Sequence, residues 1–166
     1  HDDGTGIVQS IEILAVLKEL GIKPKHSIRA VAFMNEENGL AGGTAYGKLA
    51  KEKNEKHLAA LETDAGGFTP RSFGVDTLNG LFRLATKWKS LFSPYLIERI
   101  EEGGGGADLI ALEKLGVPCI GFEPDTQRYF DIHHTAADTF DKVNKRELNL
   151  GAGAIGALIY LIDKYY

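Results

Sequence analysis

Residues 27–43 read "SIRAVAFMNEENGLAGG", and this stretch decides the fold. From Ser27 to Asn35 it is β-prone and apolar. A Lys23-Pro24-Lys25 turn bounds it on one side and Glu36-Glu37-Asn38-Gly39 on the other, the pattern of a buried strand. A helical pattern follows over residues 41–52. A strand that turns directly into a helix is the building unit of layered α/β proteins. The same stretch raises a chemical question. Adjacent carboxylates repel, so a strand that closes on Glu36 and Glu37 needs either full exposure to water or a positive partner.

Working outward, the same alternation continues. Upstream, Ile7, Val8, Ile11, Leu14, Ala15 and Leu17 recur at helical spacing, with Gly21 as the stop. Downstream, "LAALETD" predicts a strand ending at Asp64, residues 79–92 a helix, "YLIERIE" a short strand, "ADLIALEKLG" a helix and "VPCIGF" a further strand. From Arg146 a last helix carries small residues on one side, with Ile155, Leu158, Ile159 and Ile162 available for packing. Strands alternating with helices predict an α/β layered domain with a largely parallel sheet. No repeat interrupts it, and the one low-complexity tract is the "GGGG" at 103–106, read as a flexible loop.

A chain of 166 residues fits one domain with a real core. Its 19 basic against 23 acidic side chains give a net charge of -4 with no basic block, which points away from nucleic acid. The single cysteine, Cys119, excludes a disulfide framework and a cysteine-based metal site, reads as a buried small hydrophobe, and leaves the compartment open. No apolar run approaches the roughly 18 to 20 residues of a membrane span. "HDDGTG" has neither a methionine nor a signal peptide and runs straight into an amphipathic segment, so the expectation is a chain entered in mid-domain.

Acids and histidines gather at strand ends and turns: Asp2-Asp3, Glu36-Glu37, Asp64 in "ETDAGG", and His133-His134 in "DIHHTAADT". In open α/β sheets, functional groups collect beyond the carboxyl ends of strands. Each site also has a local reading. Asp2-Asp3 before Gly4 suits a helix N-cap, Glu36-Glu37 suits a helix dipole or water, and Asp64 suits a turn. Adjacent histidines on an extended segment point to opposite faces, so at most one of that pair serves as a ligand. His1, His26 and His57 sit in polar surroundings and default to the surface. Carboxylate plus imidazole is nevertheless the donor set of catalytic zinc, and a shared cation would explain the clustered acids.

In this order, "HDDGTG", "FMNEENGLAGG", "LETDAGG" and "HHTAADTFDKV" resemble the double-zinc exopeptidases of metallopeptidase family twenty-eight, over nearly the whole chain. The resemblance implies a three-layer α/β sandwich with a largely parallel mixed sheet. It matches Asp2 to the aspartate bridging two metals, Glu36 to the general base, Glu37 and Asp64 to ligands of one metal each, and His134 to the imidazole sharing Glu37's metal, with His133 as second choice. The family's remaining ligand, a histidine in a His-X-Asp turn ahead of the bridging aspartate, is not among these residues. Residues 1–166 are therefore expected to be the C-terminal part of a zinc peptidase catalytic domain that lacks N-terminal strands. The complete domain would hold two zinc ions and this chain at most one firmly. "GADLIAL" places Leu109 where many relatives have a histidine, as in the plasma glutamate carboxypeptidase-like branch.

The implied function is a zinc-dependent aminopeptidase or dipeptidase acting on peptide or dipeptide substrates, located in the periplasm or outside the cell. Two other readings of the same fold stay open. One is a single-zinc glutaminyl-peptide cyclotransferase using Asp2, Glu37 and His134; the other is a non-catalytic ectodomain. An uncovered strand edge would invite pairing with another chain, so a homo-oligomer also remains open.

Overall fold

The computed structural model describes residues 1–166. Its sheet has four strands, β1 (Ala60–Glu62), β2 (Pro70–Val75), β3 (Arg99–Glu102) and β4 (Cys119–Pro124), in the order β1-β4-β2-β3. β1 runs parallel to β4 and β2 parallel to β3, whereas β2 and β4 are antiparallel, so the sheet is mixed. The helices are α1 (Gly4–Glu19), α2 (Ala41–Glu52), α3 (Leu81–Ala85), α4 (Ile110–Glu113) and α5 (Lys145–Tyr165).

Two apolar clusters mark the two faces of the sheet. Ile13 and Leu17 of α1 and Ile155, Leu158 and Ile162 of α5 pack with Phe73, Phe92 and Ile120 on one side. On the other, Ala50 of α2 meets Leu109, Leu112, Val117 and Cys119. This is the expected three-layer α/β arrangement. Cys119 is fully buried as expected, and burial pushes its thiol up to about 12.

Several local expectations are corrected. Residues 27–33 form no strand: they take no regular secondary structure and make no backbone–backbone hydrogen bond. The apolar run favours a strand, but no neighbouring strand hydrogen-bonds to it. β2 was not expected, because "PRSFGV" opens on proline and contains glycine. Pro70 is tolerated there as the first residue of the strand. The helix expected over 79–92 breaks up. Asn79 and Gly80 take left-handed backbone (φ 53 and 77), only Leu81–Ala85 is α-helical, and Thr86–Tyr95 is a 3-10 stretch containing Pro94. The helical spacing still serves packing, since Leu81, Ala85, Trp88 and Phe92 are all buried. The tetraglycine is packed as well: a Cβ on Gly103 would lie 3.1 Å from the Gly74 backbone, and one on Gly106 would collide with the Glu62 carboxylate.

The buried stripe of α1 also differs from the expected one. Ile7, Val8 and Ile11 face outward, while Thr5, Gly6 and Gln9 are buried with Ile13 and Leu17. Polar contacts select this face. The Gln9 amide accepts from Thr63 Oγ1 and donates to the Leu148 carbonyl. Gly6 lies so close to the Thr63 carbonyl that an added Cβ would come within 2.1 Å of it. Gly6→Ala is expected to cost about 1–3 kcal/mol through overpacking, read as a lower denaturation midpoint at an unchanged m-value. An unchanged midpoint would show that the first turn of α1 moves freely.

Candidate metal and catalytic site

The chain brings its acids and imidazoles to one rim. Glu36 and Glu37 follow the segment 27–33, Asp64 follows β1 by two residues, Asp2 precedes α1, and His133 and His134 lie between β4 and α5. Asp2 is central. Its Oδ2 lies 3.4 Å from His133 Nε2 and 3.3 Å from His134 Nε2. His134 Nε2 lies 3.0 Å from Glu37 Oε1. One donor atom from each of Asp2, His133 and His134 falls within 4.8 Å of the others.

Both histidines therefore reach Asp2, where only one was expected to serve. The segment is not extended. A 3-10 turn at Tyr129–Asp131 and a left-handed His134 (φ 57) swing the two rings into a stack 3.7 Å apart. Left-handed backbone costs a non-glycine residue energy, and such residues cluster at functional sites.

The two aspartates of "HDDG" divide the local readings between them. Asp3 is the N-cap of α1 and accepts the Gly6 N–H at 3.0 Å, while the Asp2 carboxylate is turned to the histidines. Burial, with the charge of Asp64 behind it, pushes the Asp3 carboxyl up to about 8. Burial and then the charges of Asp2, Glu36, Asp108 and Glu37 push Asp64 up to about 6. Asp2 is also raised, by burial and by Glu37, with His133 and His134 opposing. The adjacent glutamates diverge in part: the charges of both bear on Asp64, but Glu37 contacts His134, whereas that of Glu36 also bears on Asp108.

Some supporting residues escaped the sequence reading. Asp138 accepts the Asp2 N–H at 2.9 Å; burial works against its charge, but this hydrogen bond helps hold its carboxyl below the usual range. The signal available was its place in "HTAADT". Tyr129 lies 4.6 Å from the His133 ring, and its carbonyl accepts the His133 N–H at 2.8 Å. His1, expected at the surface, is buried. It stacks 4.1 Å from Phe68 and accepts the Gly67 N–H on Nδ1, because the Gly66-Gly67 turn leaves room for its ring. Leu109 is a core residue, consistent with an apolar side chain at that position.

The donor set suits a cation of the zinc type. Carboxylate oxygens and imidazole nitrogens are its usual ligands, and a positive charge would offset the burial and repulsion that raise Asp2 and Asp64. Fold and donor cluster together define the class: a three-layer α/β domain with a carboxylate–imidazole centre at its strand ends.

The chain belongs to Peptidase family M28, whose profile matches residues 1–158. It is 28% identical to carboxypeptidase Q of Mus musculus over 161 residues and 29% identical to that of Homo sapiens, in each case over 97% of this chain and 34% of the relative. The crystal structure of a peptidase M28 precursor from Shewanella amazonensis SB2B superposes with a TM-score of 0.90 at 29% identity, over 98% of this chain and 37% of the other. The chain thus spans about a third of the length of the curated relatives it matches.

Proposed function

We propose that residues 1–166 are part of the catalytic domain of a zinc-dependent exopeptidase that hydrolyses peptide bonds near a chain end. Family membership supports the peptidase class, and the relatives' name, carboxypeptidase, supports action at a chain end. The observation that carries the reading is the division of labour at "NEEN". Glu37 is held against His134 beside Asp2, while Glu36 makes no contact with an imidazole.

Asp2, Glu37, Asp64 and His134 would hold zinc, with His133 as the second-choice nitrogen. Bound zinc would supply Lewis-acid polarisation of the scissile carbonyl and lower the pKa of water from 15.7 to about 7. Glu36 is the general base: it takes a proton from the attacking water and returns it to the departing amine, so the same carboxyl ends the cycle as it began. Asp138 acts on Asp2 by fixing its backbone N–H. Peptides or dipeptides are the substrates, and export to the periplasm or the extracellular space is part of the proposal. No helix is long and apolar enough to cross a membrane.

The native protein, loaded with zinc, should be tested on a panel of dipeptides, longer free-ended peptides and a peptide with N-terminal glutamine. Zinc-dependent release of a terminal residue is expected. Cyclisation of the glutaminyl peptide without hydrolysis would assign the single-zinc cyclotransferase reading, and inertness toward the whole panel would assign a non-catalytic one.

A further inference from the structure

We propose that Gln9 is a positioning residue for the metal centre: through Thr63 it fixes the backbone that carries Asp64 against the head of α1, where Asp2 stands. This role presupposes that Asp2 and Asp64 bind metal as proposed above, and it adds a residue outside the donor set.

The acids around Asp64 cannot hold it in place. Asp2, Glu36, Asp108 and Glu37 are the groups whose charges bear on it, and an ionised carboxylate accepts hydrogen bonds but donates none. Its position comes from the backbone on either side, and both sides are tied to residues at the head of α1. Before it, the buried Thr63 donates its hydroxyl to Gln9 Oε1 at 2.9 Å. After it, the Gly67 N–H donates to the His1 ring at 3.1 Å. His1 is joined to α1 in turn, its carbonyl accepting the Thr5 hydroxyl at 2.7 Å. Asp2 lies between His1 and that helix, so both carboxylates hang on one frame.

The frame is built around an amide. Gln9 is 1% exposed and shares the buried face of α1 with Ile13 and Leu17. Its orientation is fixed: the Leu148 carbonyl can only accept, so it takes Nε2, at 3.2 Å, and leaves Oε1 for Thr63. Two glycines make room. A Cβ on Gly151 would collide with the Gln9 amide nitrogen, and one on Gly6 with the Thr63 carbonyl. An apolar side chain would fill the same place without a buried amide's need for partners, so the packing of α1 on α5 does not explain the glutamine. What the amide adds is a fixed register between α1, the end of β1 and α5. The metal centre needs that register, because Asp2 precedes the first of these and Asp64 follows the second. Removing a group that orients a metal ligand typically costs about 10–100-fold in metal affinity.

The test is titration of the native protein with zinc against a competing chelator, and with cobalt(II) read by its visible absorption. Asp64→Asn marks which binding step belongs to Asp64. Gln9→Leu and Thr63→Val are each expected to weaken that step by about 10–100-fold and to shift its cobalt spectrum, leaving the ion held by Glu37 and His134 unchanged. The double variant should bind no more weakly than Gln9→Leu alone, because both substitutions remove the same bond. Thr63→Ser keeps the hydroxyl and is expected to bind metal as the wild type does, so the Thr63 pair decides the matter even if Gln9→Leu fails to fold. Equal weakening of both ions, or a lower denaturation midpoint with both affinities unchanged, would make Gln9 an ordinary core residue and overturn the proposal. Metal binding that Asp64→Asn does not alter would overturn the ligand reading and this proposal with it. An Asp64-dependent step that Thr63→Val leaves intact would overturn the role of Gln9 alone.

Discussion

Glu36→Gln is expected to lower kcat for peptide hydrolysis by about 10²–10⁴, the usual contribution of a positioned general base, while zinc per chain stays unchanged. The substitution keeps the size and shape of the side chain and removes only its ability to accept and return a proton. That separates proton transfer from metal binding. In the structure Glu36 has acids for neighbours, Asp64 and Asp108, and touches neither His133 nor His134. With no imidazole in contact, Glu36 is left to face water rather than to serve as a donor. Glu37→Gln should behave in the opposite order, losing metal first and activity as a consequence. Paired metal analysis and kinetics distinguish the two, because loss of a group acting only in the transition state lowers kcat and kcat/KM together. Zinc lost from Glu36→Gln and kept by Glu37→Gln would swap the two roles. An unimpaired Glu36→Gln enzyme would place the base elsewhere.

That acids and histidines gather at one rim was legible in the sequence because strand ends in α/β sheets converge. Apolar runs at 27–35, 58–64 and 117–122 located the ends; Glu36 and Glu37 follow the first, and Asp64 closes the second. What stayed hidden depends on contacts that no local pattern encodes. β2 owes its place to pairing with β4 and β3, which overrides its proline and glycine. His133 reaches Asp2 because His134 adopts φ 57, a backbone state that the rule for extended segments excludes. His1 is buried by the Gly66-Gly67 turn and Phe68, far along the chain. Helix α1 offers apolar residues on more than one side, so its buried face was settled by Gly6 and Gln9 meeting Thr63. Periodicity thus identified elements and the rim where they end. Register, backbone hand and the choice between apolar faces required the neighbours.

Residues 1–166 are expected to retain one firmly held zinc per chain after dialysis, and to lose it in Glu37→Ala and in His134→Ala. His134 joins the two carboxylates, its Nε2 lying 3.0 Å from Glu37 and 3.3 Å from Asp2, while the donors that fall within 4.8 Å of one another are those of Asp2, His133 and His134. Three protein ligands with a fourth position for water is the arrangement of a catalytic zinc. Asp2 is positioned for this role by Asp138, which accepts its N–H. A second ion would have Asp2 and Asp64 as its donors in this chain, and two carboxylates without an imidazole suit magnesium or calcium better than zinc. Little or no peptide turnover is therefore expected from these residues alone. His133 provides the internal control. Its Nε2 is as near to Asp2 as that of His134, but it lies on the Tyr129 side of the stack and has no contact with Glu37. His133→Ala should keep the zinc that His134→Ala loses, with secondary structure by circular dichroism unchanged in both. If His133→Ala is the variant that releases the metal, the ligand assignment moves one residue back. Two zinc ions per chain surviving dialysis would show that a nitrogen of this chain, with His133 the nearest candidate, completes the second site.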